Sequence, residues 1–163
     1  MPIPTLAWSD PIKLISYRQC PKGLGLYAIG EPRNPALPIT PADAYDAYLG
    51  RWPENFRGLY IGISLSKREG IKGRLRAHAR GRGCVGLKSY LAAGTDLHVL
   101  YIAGIDATNY EAVFVHIQRE EIFPLNKRRE LRRQAKRFSE EVDKASGYKL
   151  ANFSKIDGYF EDG

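Results

Sequence analysis

Little in this chain points out of the cell or into a membrane. Two cysteines, Cys20 and Cys84, in 163 residues are too few for a disulfide framework or a thiolate metal cluster, so both are expected to be reduced and structural. No apolar run approaches the ~20 residues that a bilayer span needs. The opening MPIPTLAWSDPIKL also lacks a basic start followed by an apolar stretch. A cytoplasmic, non-membrane protein is expected. Repeats and low-complexity tracts are missing too, and disorder can only be local. Acidic residues are the scarcer charge, 18 Asp+Glu against 25 Lys+Arg.

What is present is the balance of a globular fold, 44% hydrophobic and 26% charged residues. The length suits one domain, residues 1–163, at a prior of ~150 residues per domain. The net charge of +7 is concentrated. Lys67 to Arg82 holds seven basic residues (Lys67, Arg68, Lys72, Arg74, Arg76, Arg80, Arg82) against Glu69, a local +6. Lys127 to Arg137 holds seven more (Lys127, Arg128, Arg129, Arg132, Arg133, Lys136, Arg137) against Glu130, again +6, which leaves the rest of the chain at −5. Either run alone reads equally as a solvated helix face. Together they suit a polyanion, because counterion release from phosphates rewards clustered Lys and Arg.

Two short buried strands open alike, Gly23 to Gly30 and Gly58 to Ser64, each with a Gly-Leu-Tyr step. Between them, residues 31–57 form a proline-punctuated insertion, read as an extended stretch and then a short helix with Thr40 as N-cap, Pro41 at the first position and Asp43 in the first turn. Ile71 to Arg80 reads as a helix, ended by a flexible glycine loop, Gly81 to Gly86, able to approach a phosphate. Leu97 to Ala103 is the third strand. A helix with Tyr110, Val113, Phe114 and Ile117 on one face follows, stopped by Pro124. The last helix starts near Asn126 and keeps Leu131, Ala135, Phe138 and Val142 on its apolar side, ahead of an aromatic tail. This order predicts an α+β domain, a three-stranded, mostly antiparallel sheet flanked by helices, with an insertion in its first hairpin.

Gly25-Leu-Tyr27 and Tyr60-Ile-Gly62 on successive strands, a helix with Arg74 and His78, a later helix with Glu111, and Asn126 fifteen residues on together resemble the GIY-YIG nuclease family. The resemblance spans about residues 21–126, and its weight lies in the ordered set. Leu26 stands where Ile is usual, and the insertion replaces a short turn. The resemblance implies an endodeoxyribonuclease, a metal-dependent phosphodiesterase with Tyr27, Tyr60, Arg74, His78, Glu111 and Asn126 at its site and no organic cofactor. It implies that Tyr27 takes the proton of the attacking water, with Tyr60 at the nucleophile.

Each residue also reads on its own chemistry. In-line phosphodiester hydrolysis needs charge stabilisation on the phosphoryl oxygens, a metal or acid at the leaving oxygen, and a proton acceptor for water. Arg74 and His78, at i and i+4, share a helix face and could both address one phosphate, and arginine meets phosphate oxygens bidentately without ever losing its charge. Glu111 is the oxygen ligand expected for Mg²⁺, with Mn²⁺ as a substitute. Thr108-Asn-Tyr-Glu111 is equally a capping box that would start its helix. Tyr27 and Tyr60 also suit ordinary sheet aromatics, and an unperturbed phenol, titrating near ~10, is a poor base at neutral pH. Asn126 is either an N-cap or a residue that positions the Glu111 site from behind. His116 with Glu120 is a weaker metal candidate, and His98 on the third strand reads as structural.

Lys72, Arg76, Arg80, Arg82, Lys127, Arg128, Arg129, Arg132, Arg133 and Lys136 are the expected nucleic-acid contacts. Double-stranded DNA is favoured over RNA, because two long basic faces suit duplex phosphates and no aromatic base-stacking platform is evident. One such site cuts one strand, so a double-strand cut calls for a homodimer or two encounters. The compact chain is similar to stand-alone restriction enzymes of the family. A small repair or mobile-element nuclease, a non-catalytic nucleic-acid-binding module and an acidic-protein binder are the other readings. In each nucleic-acid reading the protein would associate with the nucleoid when bound.

Overall fold

The computed structural model describes residues 8–23, 25–41, 44–46, 50–64, 68–103, 123–126 and 136. The helix expected to carry Glu111, and the last helix except Lys136, lie outside them. The described part is α+β, built on a four-stranded sheet whose strands all pair antiparallel. Strand β1 (Ile12–Lys13) lies at one edge. β2 (Gly25–Glu31) is central, and β3 (Ala44–Asp46) and β4 (Gly50–Trp52) form a separate hairpin. β5 (Arg57–Ser64) and β6 (His98–Ala103) complete the main sheet in the order β1, β6, β2, β5. No described helix is long and apolar enough to cross a membrane.

β2 is hydrogen-bonded on both sides, and its residues 25–30 are all buried. Its run of Leu26, Ala28 and Ile29, bounded by glycines, is what a strand covered on both faces requires. Successive side chains alternate between faces. Tyr27 and Ile29 of β2, Tyr60 of β5 and Val99 of β6 share one face. Helix α1 (Gly70–Ala79) packs there, contributing Ile71 and Leu75 to the same cluster. Leu26, Ala28, Ile61 and Leu100 on the opposite face are buried as well. A 3-10 helix (Leu14–Gln19) sends Leu14 and Tyr17 into the cluster beside α1. Helix α2 (Val85–Ala92) buries Leu87.

Three expectations need correction. The sheet has four strands rather than three, because Ile12 and Lys13 pair with Val99 and His98. The insertion contains a β-hairpin after Pro41 in place of a helix. Gly50, at φ 77°, opens β4 opposite Asp46, and Trp52 is buried with its indole N–H donating to the Phe56 carbonyl at 3.0 Å. Those tertiary gains outweigh the helix-start signal of Thr40 and Pro41. The glycine loop is short, and its second half is the first turn of α2. Gly83 lies against His78 and Gly86 against Leu125, so two of its three glycines serve close packing rather than access to a ligand.

Candidate active site

The site begins with strand register. Tyr27 pairs with Gly62 across β2 and β5, and Tyr60 pairs with Ile29, so the tyrosines are diagonal neighbours on one face. A methyl group on Gly62 would overlap Cζ and Oη of Tyr27. Only glycine there lets the Tyr27 ring lie across β5. The ring centroids of Tyr27 and Tyr60 are 6.3 Å apart.

α1 closes the cluster from above. His78 continues the buried line of Ile71 and Leu75, at the i, i+4, i+7 spacing of one helical face. Its ring centroid is 5.5 Å from that of Tyr27 and 5.1 Å from that of Tyr60. Tyr27 is 0% exposed, and Tyr60 and His78 are each 1% exposed. A methyl on Gly83 would overlap Nδ1 and Cε1 of His78, so the turn after α1 is pressed onto the imidazole edge.

The hydrogen bonds settle the tautomer. The backbone N–H of Cys84 donates to Nδ1 of His78 at 3.4 Å, which makes Nδ1 an acceptor. The ring is neutral, since burial and then the charge of Arg74 push its pKa down to about 3. The proton therefore sits on Nε2 and is donated to Tyr27 Oη at 2.9 Å. The phenol must then aim its own proton elsewhere. An N–H thus faces the oxygen that would carry charge if Tyr27 gave up its proton, and the Arg74 guanidinium is the nearby cation.

Arg74 and His78 are expected from their i, i+4 spacing to address one phosphate together. Arg74 is exposed, whereas both ring nitrogens of His78 are engaged inside the protein. Only Arg74 of the two faces solvent, and His78 acts on Tyr27. Glu111 lies outside the described residues. Among the described residues no three His, Cys, Asp or Glu side chains gather into a metal cage, and phenol oxygens alone do not make the carboxylate-bearing octahedral site that Mg²⁺ prefers.

Asn126 is 0% exposed. Its Oδ1 accepts from the N–H of Ile61 at 2.7 Å, and its Nδ2 donates to the carbonyl of Ile61 at 2.8 Å. The side-chain amide thus pairs with the outer edge of β5 as a neighbouring strand would, and the Leu125 N–H adds a bond to the Leu59 carbonyl at 2.9 Å. Both polar atoms of that amide face the backbone of one residue, Ile61, next to Tyr60. This is a positioning role, and it ties residues 123–126 to the strand that carries Tyr60.

Of the expected nucleic-acid contacts, Lys72 and Arg76 are half-buried, and Arg80, Arg82 and Lys136 are exposed. Lys127, Arg128, Arg129, Arg132 and Arg133 lie outside the described residues, as do His116 and Glu120. His98 donates Nδ1–H to the Asp96 carbonyl at 3.0 Å and has a structural part. Burial raises the Cys20 thiol to about 11 despite Lys72 nearby, so it is an inert core group. Gly62, Gly83 and the Cys84 amide were missed as site components. The glycine after Tyr60-Ile was the one signal available, since a strand glycine marks close approach. Ser64 Oγ, on the tyrosine face of β5, is buried without a hydrogen-bond partner. No family model matches the chain, and neither a curated protein nor a solved structure shows significant similarity to it.

Proposed function

We propose that this chain is a Mg²⁺-dependent endonuclease of the GIY-YIG type that hydrolyses phosphodiester bonds in double-stranded DNA, in the manner of a stand-alone restriction-like enzyme. One observation carries the reading: a neutral His78, fixed as an Nε2–H donor, is aimed at the oxygen of a tyrosine packed in one buried cluster with a second tyrosine. In a hydrolytic cycle Tyr27, having released its own proton to solvent, is a phenolate whose charge the His78 N–H steadies, and it becomes a neutral phenol on taking the proton of the attacking water. The exposed Arg74 meets the phosphate on the solvent side. Glu111 is the residue assigned to Mg²⁺, which would neutralise charge on the phosphate and the leaving oxygen.

The test is cleavage of supercoiled plasmid and a defined duplex pool with Mg²⁺, with EDTA, and with Glu111→Gln. Discrete fragments that vanish with EDTA and in the variant are expected, because glutamine preserves a capping box but not a metal ligand. Bound but intact DNA under all three conditions would replace this reading with a non-catalytic binding module.

A further inference from the structure

α1 has two basic flanks, and only one of them borders the tyrosines. Lys72, Arg76 and Arg80 recur every fourth residue along one line. Arg74 stands two positions from Lys72 and Arg76, about 200° around a helix of ~3.6 residues per turn. The buried line Ile71, Leu75, His78 runs between them. The Arg76 flank therefore lies away from Arg74, on the side where the 3-10 helix docks.

That docking is well determined. The Lys72 N–H donates to the Pro21 carbonyl at 3.2 Å, and the Cys20 N–H donates to the Tyr17 carbonyl at 3.0 Å. Tyr17 is buried beneath, and the exposed Arg18 guanidinium stands 5.9 Å from the centroid of its ring. Burial acts to raise the Tyr17 phenol, yet the hydrogen bond from Arg18 and the charges of Arg18, Arg80 and Arg76 hold it below its ordinary value. Arg18 thus stands by the Tyr17 ring, and Arg76 of α1 and Arg80 at its C-terminal end are near enough for their charges to act on the same phenol. Among the described residues Glu69 is the acid that meets them, in a 3.5 Å pair with Arg76 that is open to solvent and so contributes little and yields readily.

We infer that Arg18, Arg76 and Arg80 form a phosphate-backbone contact for duplex nucleic acid, distinct from the residues that perform the chemistry. The inference rests on the nuclease reading and deepens it. A helix with its side chains is about 10–12 Å across, comparable with the ~12 Å width of a major groove. Arg74 on one flank of α1 and the arginine cluster on the other would then meet the two backbones that border a single groove.

The test measures binding of a fixed 20-base-pair duplex by fluorescence anisotropy from low to high KCl, with Ca²⁺ replacing Mg²⁺. The wild type is compared with Arg18→Gln/Arg80→Gln and Arg18→Lys/Arg80→Lys. Both positions are exposed, so both variants should fold, with the thermal midpoint as the check. Losing two phosphate contacts should flatten the slope of log K against log salt by about 1.8 and weaken binding roughly 10- to 100-fold at 100 mM salt. The lysine variant should recover most of the slope. A wild-type protein that binds the duplex, with an unaltered slope in the glutamine variant, would overturn this contact alone. A wild-type protein that does not bind would overturn the contact and the nuclease reading together.

Discussion

Acid should unfold this protein partly through one residue, and the size of the effect follows from how His78 is held. In an unfolded chain imidazole titrates near ~6.5, whereas burial and the Arg74 charge keep His78 down at about 3 in the folded one. Between those values the unfolded chain binds a proton that the folded chain refuses. Stability is therefore full above about pH 6.5 and falls as pH drops through it, levelling only near 3. At pH 5 the gap is about 1.5 pH units at ~1.36 kcal/mol each, or about 2 kcal/mol. Urea unfolding of the wild type and of His78→Gln at pH 7.5 and pH 5 isolates this contribution, because the other titrating groups are common to both proteins. The wild type should lose about 2 kcal/mol more than the variant across that interval. Equal losses would refute a buried, neutral His78, and with it the assignment of Nε2–H as the donor to Tyr27.

Gly62→Ala should destabilise the fold by about 1–3 kcal/mol, the usual cost of overpacking, and should lower cleavage further than that loss explains, because the Tyr27 ring must leave its place beside His78. Urea midpoints and single-turnover rates, measured together, check both halves. Asn126→Ala strands the N–H and carbonyl of Ile61 in the interior at about 1–3 kcal/mol each. A loss below about 1 kcal/mol in urea unfolding would contradict the strand-like pairing of its amide. Ser64→Ala removes a buried hydroxyl that has no partner and should be neutral or stabilising by up to about 1 kcal/mol; a clear loss of stability would mean that the hydroxyl is satisfied in solution.

The parts of the fold that could be read in the sequence are those whose burial leaves a local pattern. β2, β5 and β6 are glycine- or aspartate-bounded runs of β-formers, and α1 has its apolar line at helical spacing. β1 has no such pattern, since two residues become a strand only by pairing with Val99 and His98, far along the chain. α2 is eight residues long without a side-chain cap and follows glycines that suggest a loop. The hairpin at β3 and β4 depends on where Trp52 can be buried, which local helix-start signals do not register. Within the candidate site, the ordered motif pointed to Tyr27, Tyr60 and His78, and the structure packs their rings into one buried cluster. It could not show that His78 turns inward, because i and i+4 spacing places two residues on a face without saying which is at its centre. The role of Asn126 was equally hidden, because the strand edge it completes lies 65 residues away in sequence.

The central claim is that the Tyr27 oxygen, held by His78, is the proton acceptor in phosphodiester hydrolysis. Single-turnover cleavage of a duplex by Tyr27→Phe, at saturating protein with Mg²⁺, tests it most directly, because phenylalanine keeps the ring in the core and removes only the oxygen. A fall of about 10²- to 10⁴-fold, the range of a lost general base, with folding and duplex affinity retained, is the predicted result. Cleavage within a few-fold of the wild type by a folded Tyr27→Phe protein would contradict the account.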